Sequence, residues 1–351
     1  MKKKVIIKLG FCLMISIGLV VVLFTFSNTI IHKRNDFLRV FPPHPIRKEN
    51  VLNIKFNSYY IAGLSQHRIY LGNGTAPLHV LDLNMSLQDS THITLKIEGI
   101  NQDTLASTRI EVNPPYFYVF DGIVPLIYKG PLDTWIATKY ITAPNHFTIA
   151  EPTVEKSIVF RAVNSSSKNN MLGTFHSDTL PTTFNTTLLE KQIDGFFCTD
   201  GQLDFNTSLN QIIYTYYYRN QFLVLNTDLT IKLKGKTIDT VSIAQLKIAN
   251  TNGIKTMAAP PLIVNKRSTT YGNWLFVQSN LLAKNEHRKL FDDASVIDVY
   301  NLKNGHYKMS FYIPNFENHR IKDFKIIQDK LVTLYEHHIV VYTIGQEYLN
   351  T

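Results

Sequence analysis

A two-strand phrase that recurs along the chain constrains this fold more than any other feature. Its clearest copy lies at residues 212–229. Two apolar, β-prone runs, 212–218 and 222–225, flank the short polar break Arg219-Asn220-Gln221. Aromatic and branched side chains pack well on a pleated surface, and a break of this size signals a hairpin. The second run closes on Asn226-Thr227-Asp228, which is turn chemistry. No convincing amphipathic helix interrupts the pattern beyond residue 50. Short apolar runs alternate with Gly, Asn, Asp and Pro clusters, as an all-β chain requires.

Aligning the hairpins gives six phrases. Their first strands are residues 68–71, 116–120, 157–163, 212–218, 273–279 and 330–335, and their second strands are 77–84, 124–128, 170–176, 222–226, 295–302 and 338–344. The anchors Tyr70, Tyr118, Phe160, Tyr214, Phe276 and Leu334 stand 48, 42, 54, 62 and 58 residues apart. Such a period, with two to four strands per unit, signals propeller blades. Innermost strands are expected at 59–62, 108–112, 146–149, 202–205 and 321–326. Outer strands are expected at 92–98, 134–141, 230–236 and 307–313, with that of blade three drawn from 182–190. The last unit has only three strands, and segment 51–56 is left over before the first. Pairing the two would close the ring and remove two open edges.

On these strand phrases the chain resembles the six-bladed β-propeller superfamily, the NHL- and TolB-like group, over residues 51–345. The resemblance is architectural and implies fold more than function. It points to a membrane-anchored bacterial member of the kind that has no assigned activity.

The chain has 351 residues and a net charge of +9, which would suit a nucleic-acid binder if the charge were spread over the body. It is not. Residues 1–48 carry nine Lys and Arg against Asp36 alone, and the remainder is +1. A near-neutral body excludes the basic footprint that phosphate backbones demand. Residues 9–26 form an uncharged apolar run, extendable to Ile31, which is long enough to span a bilayer. Lys2, Lys3, Lys4 and Lys8 precede it, favouring a cytoplasmic N-terminus. No small-x-small cleavage pattern follows, so a retained signal-anchor is expected. The domain plan is then a basic tail (1–8), a transmembrane helix (9–31) whose partner is membrane lipid, a linker with Pro42, Pro43 and Pro45 (32–50), the propeller (51–345) and a short tail (346–351). The body would be periplasmic or extracellular. Its single Cys198 rules out an internal disulfide there. Sequons at Asn73, Asn84, Asn164, Asn185 and Asn206 match turn composition as well as they match glycan acceptors.

Candidate chemistry is sparse. Gly235-Lys236-Thr237 lacks the earlier glycine of a phosphate-binding loop, and Glu336-His337-His338 would point its histidines to opposite faces of a strand. The most informative patch is Thr199-Asp200-Gly201-Gln202-Leu203-Asp204, which enters the innermost strand of blade four. Asp323, in Arg320-Ile321-Lys322-Asp323-Phe324, has a comparable place in blade six. Asp200, Asp204, Arg320 and Asp323 are thus the channel candidates, with no matching acid expected from the other four blades. Insertions at 258–270 and 280–293 make blade five the longest, and long loops on a rigid scaffold commonly carry binding. The expectation is a binding or interaction module for a protein or small molecule at the propeller face, with no cofactor, metal or catalytic residue assigned. A hydrolase or lyase with a metal at the channel mouth is the alternative.

Overall fold

The computed structural model describes residues 2–31, 36–99, 105–153, 157–175, 182–251 and 254–349. From Ile46 onward the chain forms six sheets built on four antiparallel strands each, consecutive in sequence except at the closure, and a separate two-stranded sheet of Ile248–Thr251 with Ile254–Met257. The six are the blades of a β-propeller. Their innermost strands are Tyr59–Leu64, Thr108–Asn113, Phe147–Pro152, Gly201–Asn206, Asn265–Tyr271 and Asp323–Ile327. The expected strand order holds throughout. In blade three the outer strand shrinks to Thr183–Asn185, pairing with Leu172, Gly173 and Thr174. In blade one, the expected outer strand divides: Ser90–Thr94 stays on its own blade, while Lys96–Ile97 pairs in parallel with Ile136 and Ala137 of blade two.

The core is not central but lies between blades, because each sheet is apolar on both faces. Phe120 of blade two meets Phe147 and Phe160 of blade three, and Phe222 and Val224 of blade four meet Leu275 and Val277 of blade five. The remaining four interfaces are filled the same way, for example by Ile61 and Leu71 against Val332 and Leu334 where the last blade meets the first. Such a ring brings backbones close near its axis. A Cβ on Gly63 would lie 2.1 Å from the Val112 carbonyl oxygen, so blades one and two can approach only through a glycine there.

The ring closes as a sheet. Ile46–Asn53 pairs antiparallel with His338–Ile344 and supplies the last blade's outer strand. That strand begins five residues earlier than the alternation of 51–56 suggests, and Ile54 packs into the interface between the last blade and the first.

The residues before it do not behave as a solvated spacer. Phe37 packs against Val241, Val264 and Leu281, and Phe41 stacks on Tyr312 at 4.6 Å. Between them Arg39, 3% exposed, forks onto Asp298 with contacts of 2.7 and 3.1 Å, pairs with Glu286, and donates to the Leu281 carbonyl oxygen. Residues 36–45 are therefore a strap along blade five. Residues 32–35 of the expected linker, His176 at the end of blade three's third strand, and 350–351 of the expected tail lie outside the described residues.

Lys2–Ile31 is one helix, and its stretch Ile7–Thr25 has mean hydropathy 2.5 with none of its surface buried by the protein. It is long and apolar enough to cross a membrane. All five sequon asparagines accept backbone N–H bonds from residues two to five positions ahead, so each works as a turn-former.

Candidate functional site

In a four-stranded meander, the connections between blades and those between second and third strands emerge on one face. A cavity of about 530 Å³ opens there, on the propeller axis. Every blade lines it through its innermost strand: Tyr60, Arg109 and Glu111, Glu151, Gln202 and Asp204, Arg267, and Asp323 and Lys325. The period-two geometry of strands explains the pairs, since residues i and i+2 share a face. Arg109 and Glu111, Gln202 and Asp204, and Asp323 and Lys325 each point inward on this rule.

The lining alternates in sign. Lys325 Nζ donates to Glu111 Oε1 at 2.7 Å. Burial opposes the Lys325 charge, yet the carboxylates of Glu111, Glu151 and Asp204 outweigh it and hold the ammonium protonated beyond its ordinary range. Glu151 is pushed well upward by burial and by Glu111, against the opposing pull of Lys325. Asp204 is raised to about 6, chiefly by burial, while Thr270 and Phe205 donate backbone N–H bonds to it. Both acids are half-buried in the cavity wall, and desolvation is the largest cause of each shift. Arg109 lies over the Tyr60 ring at 4.3 Å, and the Tyr60 hydroxyl accepts from Ile110 N–H. Gln202 accepts from Ser268 N–H at 2.7 Å, leaving its buried Nε2 without an acceptor among the described residues.

Of the four residues singled out from sequence, Asp204 and Asp323 line the cavity and Asp200 and Arg320 do not. Asp200 is drawn sideways to Arg161, which also bonds the Tyr214 hydroxyl at 3.0 Å. Arg320 caps the short helix Arg288–Asp292, donating to the carbonyls of Phe291 and Asp292. Among the described residues no three His, Cys, Asp or Glu side chains gather closely enough to hold a metal. His337 and His338 face Lys55 and Glu317 respectively, away from the cavity.

Sequence reasoning missed Glu111, Glu151 and Lys325. Only blades four and six were expected to offer acids, and blades two and three correct that. The innermost strand of blade three runs on to Pro152 rather than stopping near Ile149, which brings Glu151 into the channel. Glu111 sits at the fourth position of its strand, the place that Asp204 holds in blade four, but no Asp-Gly turn like Asp200-Gly201 precedes it to mark the position. A charged residue at every second position of an innermost strand was the available signal.

No family model matches the sequence, and no curated protein matches it either. Solved structures do. The chain is similar to a member of the DUF4221 family from Bacteroides vulgatus, at 10% identity across 89% of this chain and 99% of that one, with a TM-score of 0.54. A Bacteroides fragilis protein described as exported is similar at 7% identity, over 89% and 98% of the two chains, with a TM-score of 0.51. A catalytically inactive virginiamycin B lyase from Staphylococcus aureus with quinupristin is similar at 12% identity, over 86% and 99%, with a TM-score of 0.50. Identities this low speak to the fold alone. On strand order, blade interfaces and these matches together, the chain is a six-bladed β-propeller with one apolar N-terminal helix.

Proposed function

We propose that this protein is a membrane-anchored, extracytoplasmic binding module that takes a small polar ligand into its channel cavity. The observation that carries the reading is the cavity lining: Arg109, Arg267 and Lys325 stand among Glu111, Glu151, Asp204 and Asp323, contributed by five different blades. A volume near 530 Å³ lies within the roughly 300–1,000 Å³ usual for small-molecule sites. Charges of both signs in one enclosure favour a solute that carries donors and acceptors together, such as a zwitterion or a polyol. The N-terminal helix is the anchor, with Lys2, Lys3, Lys4 and Lys8 on the cytoplasmic side, and lipid is its partner.

A second reading has one observation in its favour. Glu151 and Asp204 are both displaced toward the neutral acid form, and such groups can act as general acids. A hydrolase or lyase would use them, without the metal site first considered from Asp200, Asp204 and Asp323.

Calorimetric titration of the detergent-solubilised full chain with zwitterionic and polyol solutes separates the two. Binding that Glu151→Gln weakens about tenfold, with the solute recovered unchanged, is the expected result. Chemical conversion of the solute would establish the second reading, and no binding by any solute class would sink both.

A further inference from the structure

A second cavity of about 350 Å³ adjoins the channel mouth between blades five and six, sharing Tyr217, Arg267 and Lys322 with the first. Its charge is one-sided. Lys266, Arg267 and Lys322 line it, and no carboxylate does. Asp323 approaches Arg267 only at 3.9 Å and belongs to the channel lining. Lys266 is half-buried and makes no hydrogen bond or ion pair with any described residue. Lys322 spends two donors on the backbone carbonyls of Asn57 and Tyr59, which fixes the ammonium and leaves its third N–H free. The crowding is felt: Lys266 is pushed downward by burial and by Arg320. Lys322 is likewise lowered, chiefly by burial, with Arg267 adding to it against Asp323. Three cations line this cavity against one carboxylate, Asp323, that reaches Arg267 only at the limit of ion-pair distance, and the excess of positive charge favours an incoming anion.

We propose that this cavity is an anion subsite, seating a carboxylate or phosphate group of the ligand whose polar body occupies the channel. The proposal rests on the binding reading above and narrows it to an anionic solute class. Arg267 and Lys322, common to both cavities, are the hinge between the two halves of the site. Arg267 offers a planar fork suited to an oxyanion, and Lys266 offers an unengaged point charge.

The test uses the full chain in neutral detergent, titrated separately with inorganic phosphate and with acetate. One or both should bind in the millimolar range, and binding should weaken as ionic strength rises. Lys266→Met should weaken that anion at least tenfold, whereas Lys303→Met, in the exposed turn between Ala294–Asn301 and Tyr307–Pro314 and outside both cavities, should leave it unchanged. Which of the two anions binds identifies the group. Thermal melts of Lys266→Met, and of Tyr217→Phe as a second variant on the same wall, verify folding before affinity is read. No binding of either anion, or binding indifferent to Lys266→Met in a folded variant, overturns the subsite. Anion binding that persists while zwitterionic and polyol solutes fail to bind would remove the channel reading and leave the subsite standing.

Discussion

At the scale of single residues, burial decides what the polar groups do. Arg39 is the clearest case: its guanidinium is enclosed and burial works against its charge, but Asp298 and Glu286 together outweigh burial and hold it ionised beyond the ordinary arginine range. Removing one partner of such a buried set usually costs about 3–5 kcal/mol, because the other charges are left uncompensated. Arg219 is the converse. The polar break that marks the central hairpin reads as an exposed turn, yet Arg219 is 1% exposed, stacked on Tyr216 at 3.7 Å and donating to the Glu190 carbonyl, because Thr237, Val241 and Val264 bond to its neighbours Asn220 and Tyr217. Asp204 gives a measurable consequence. Its folded value of about 6 lies above the roughly 3.9 of an unfolded aspartate. The protonated form is therefore the one that folding favours. Its contribution is fully present below about pH 4 and is lost as pH rises through 6. Asp204→Asn should accordingly gain stability relative to the parent between pH 4 and 7, by about 1–2 kcal/mol after allowing for cavity water. Urea unfolding at both pH values checks it, and an unchanged difference would show that Asp204 does not titrate in that window.

At the scale of elements, the closing strand matters more than its length suggests. Ile46–Asn53 covers the edge of His338–Ile344, whose side chains from His338 to Tyr342 are all buried. Without it, the backbone groups of Val340 and Val341 would lose their partners Val51 and Asn50, and an apolar edge would stand open. A chain beginning at Lys55 should aggregate and melt at a lower temperature, while one beginning at Asp36 keeps both strap and closure and should remain monomeric. Light scattering with thermal melts separates these outcomes. A monomeric, equally stable chain from Lys55 would mean that the ring does not depend on this strand. The strap adds a second tie, since Phe37, Arg39 and Phe41 clamp the entering chain to blade five before it crosses to blade six.

At the scale of the whole molecule, the strap also orients the cavity. Phe37 meets Val241, Val264 and Leu281 beside the blade-five inserts, on the face where the channel opens. Only residues 32–36 separate the helix end from Phe37, which spans roughly 20 Å at full extension. A helix seated in a bilayer would thus hold the mouth side of the ring near the membrane surface. The full chain should resist alkaline carbonate extraction from membranes, and protease added to intact cells or spheroplasts should reach the propeller. A carbonate-soluble chain, or a propeller shielded until the membrane is opened, would contradict the anchored, exported arrangement.

The propeller itself was legible in the sequence, because its cause is local and repeated. Each blade needs apolar residues on both sheet faces, so the phrases around Tyr118, Tyr214 and Phe276 announce themselves wherever they recur. The apolar run Ile7–Thr25 was legible for the same reason, being a matter of composition over one contiguous stretch. The site was only half legible. Asp204 and Asp323 could be found because each belongs to a polar patch that leads into an innermost strand, Asp323 at its first position and Asp204 at its fourth. Glu111, Glu151 and Lys325 could not be joined to them, since they come from three blades and meet only when the ring brings strands far apart in sequence around one axis. The same holds for Asp200, which pattern put beside Asp204 but Arg161 pulls aside. Convergence of charge is a property of the closed ring, and a linear pattern carries no record of which side chains the closure will bring face to face.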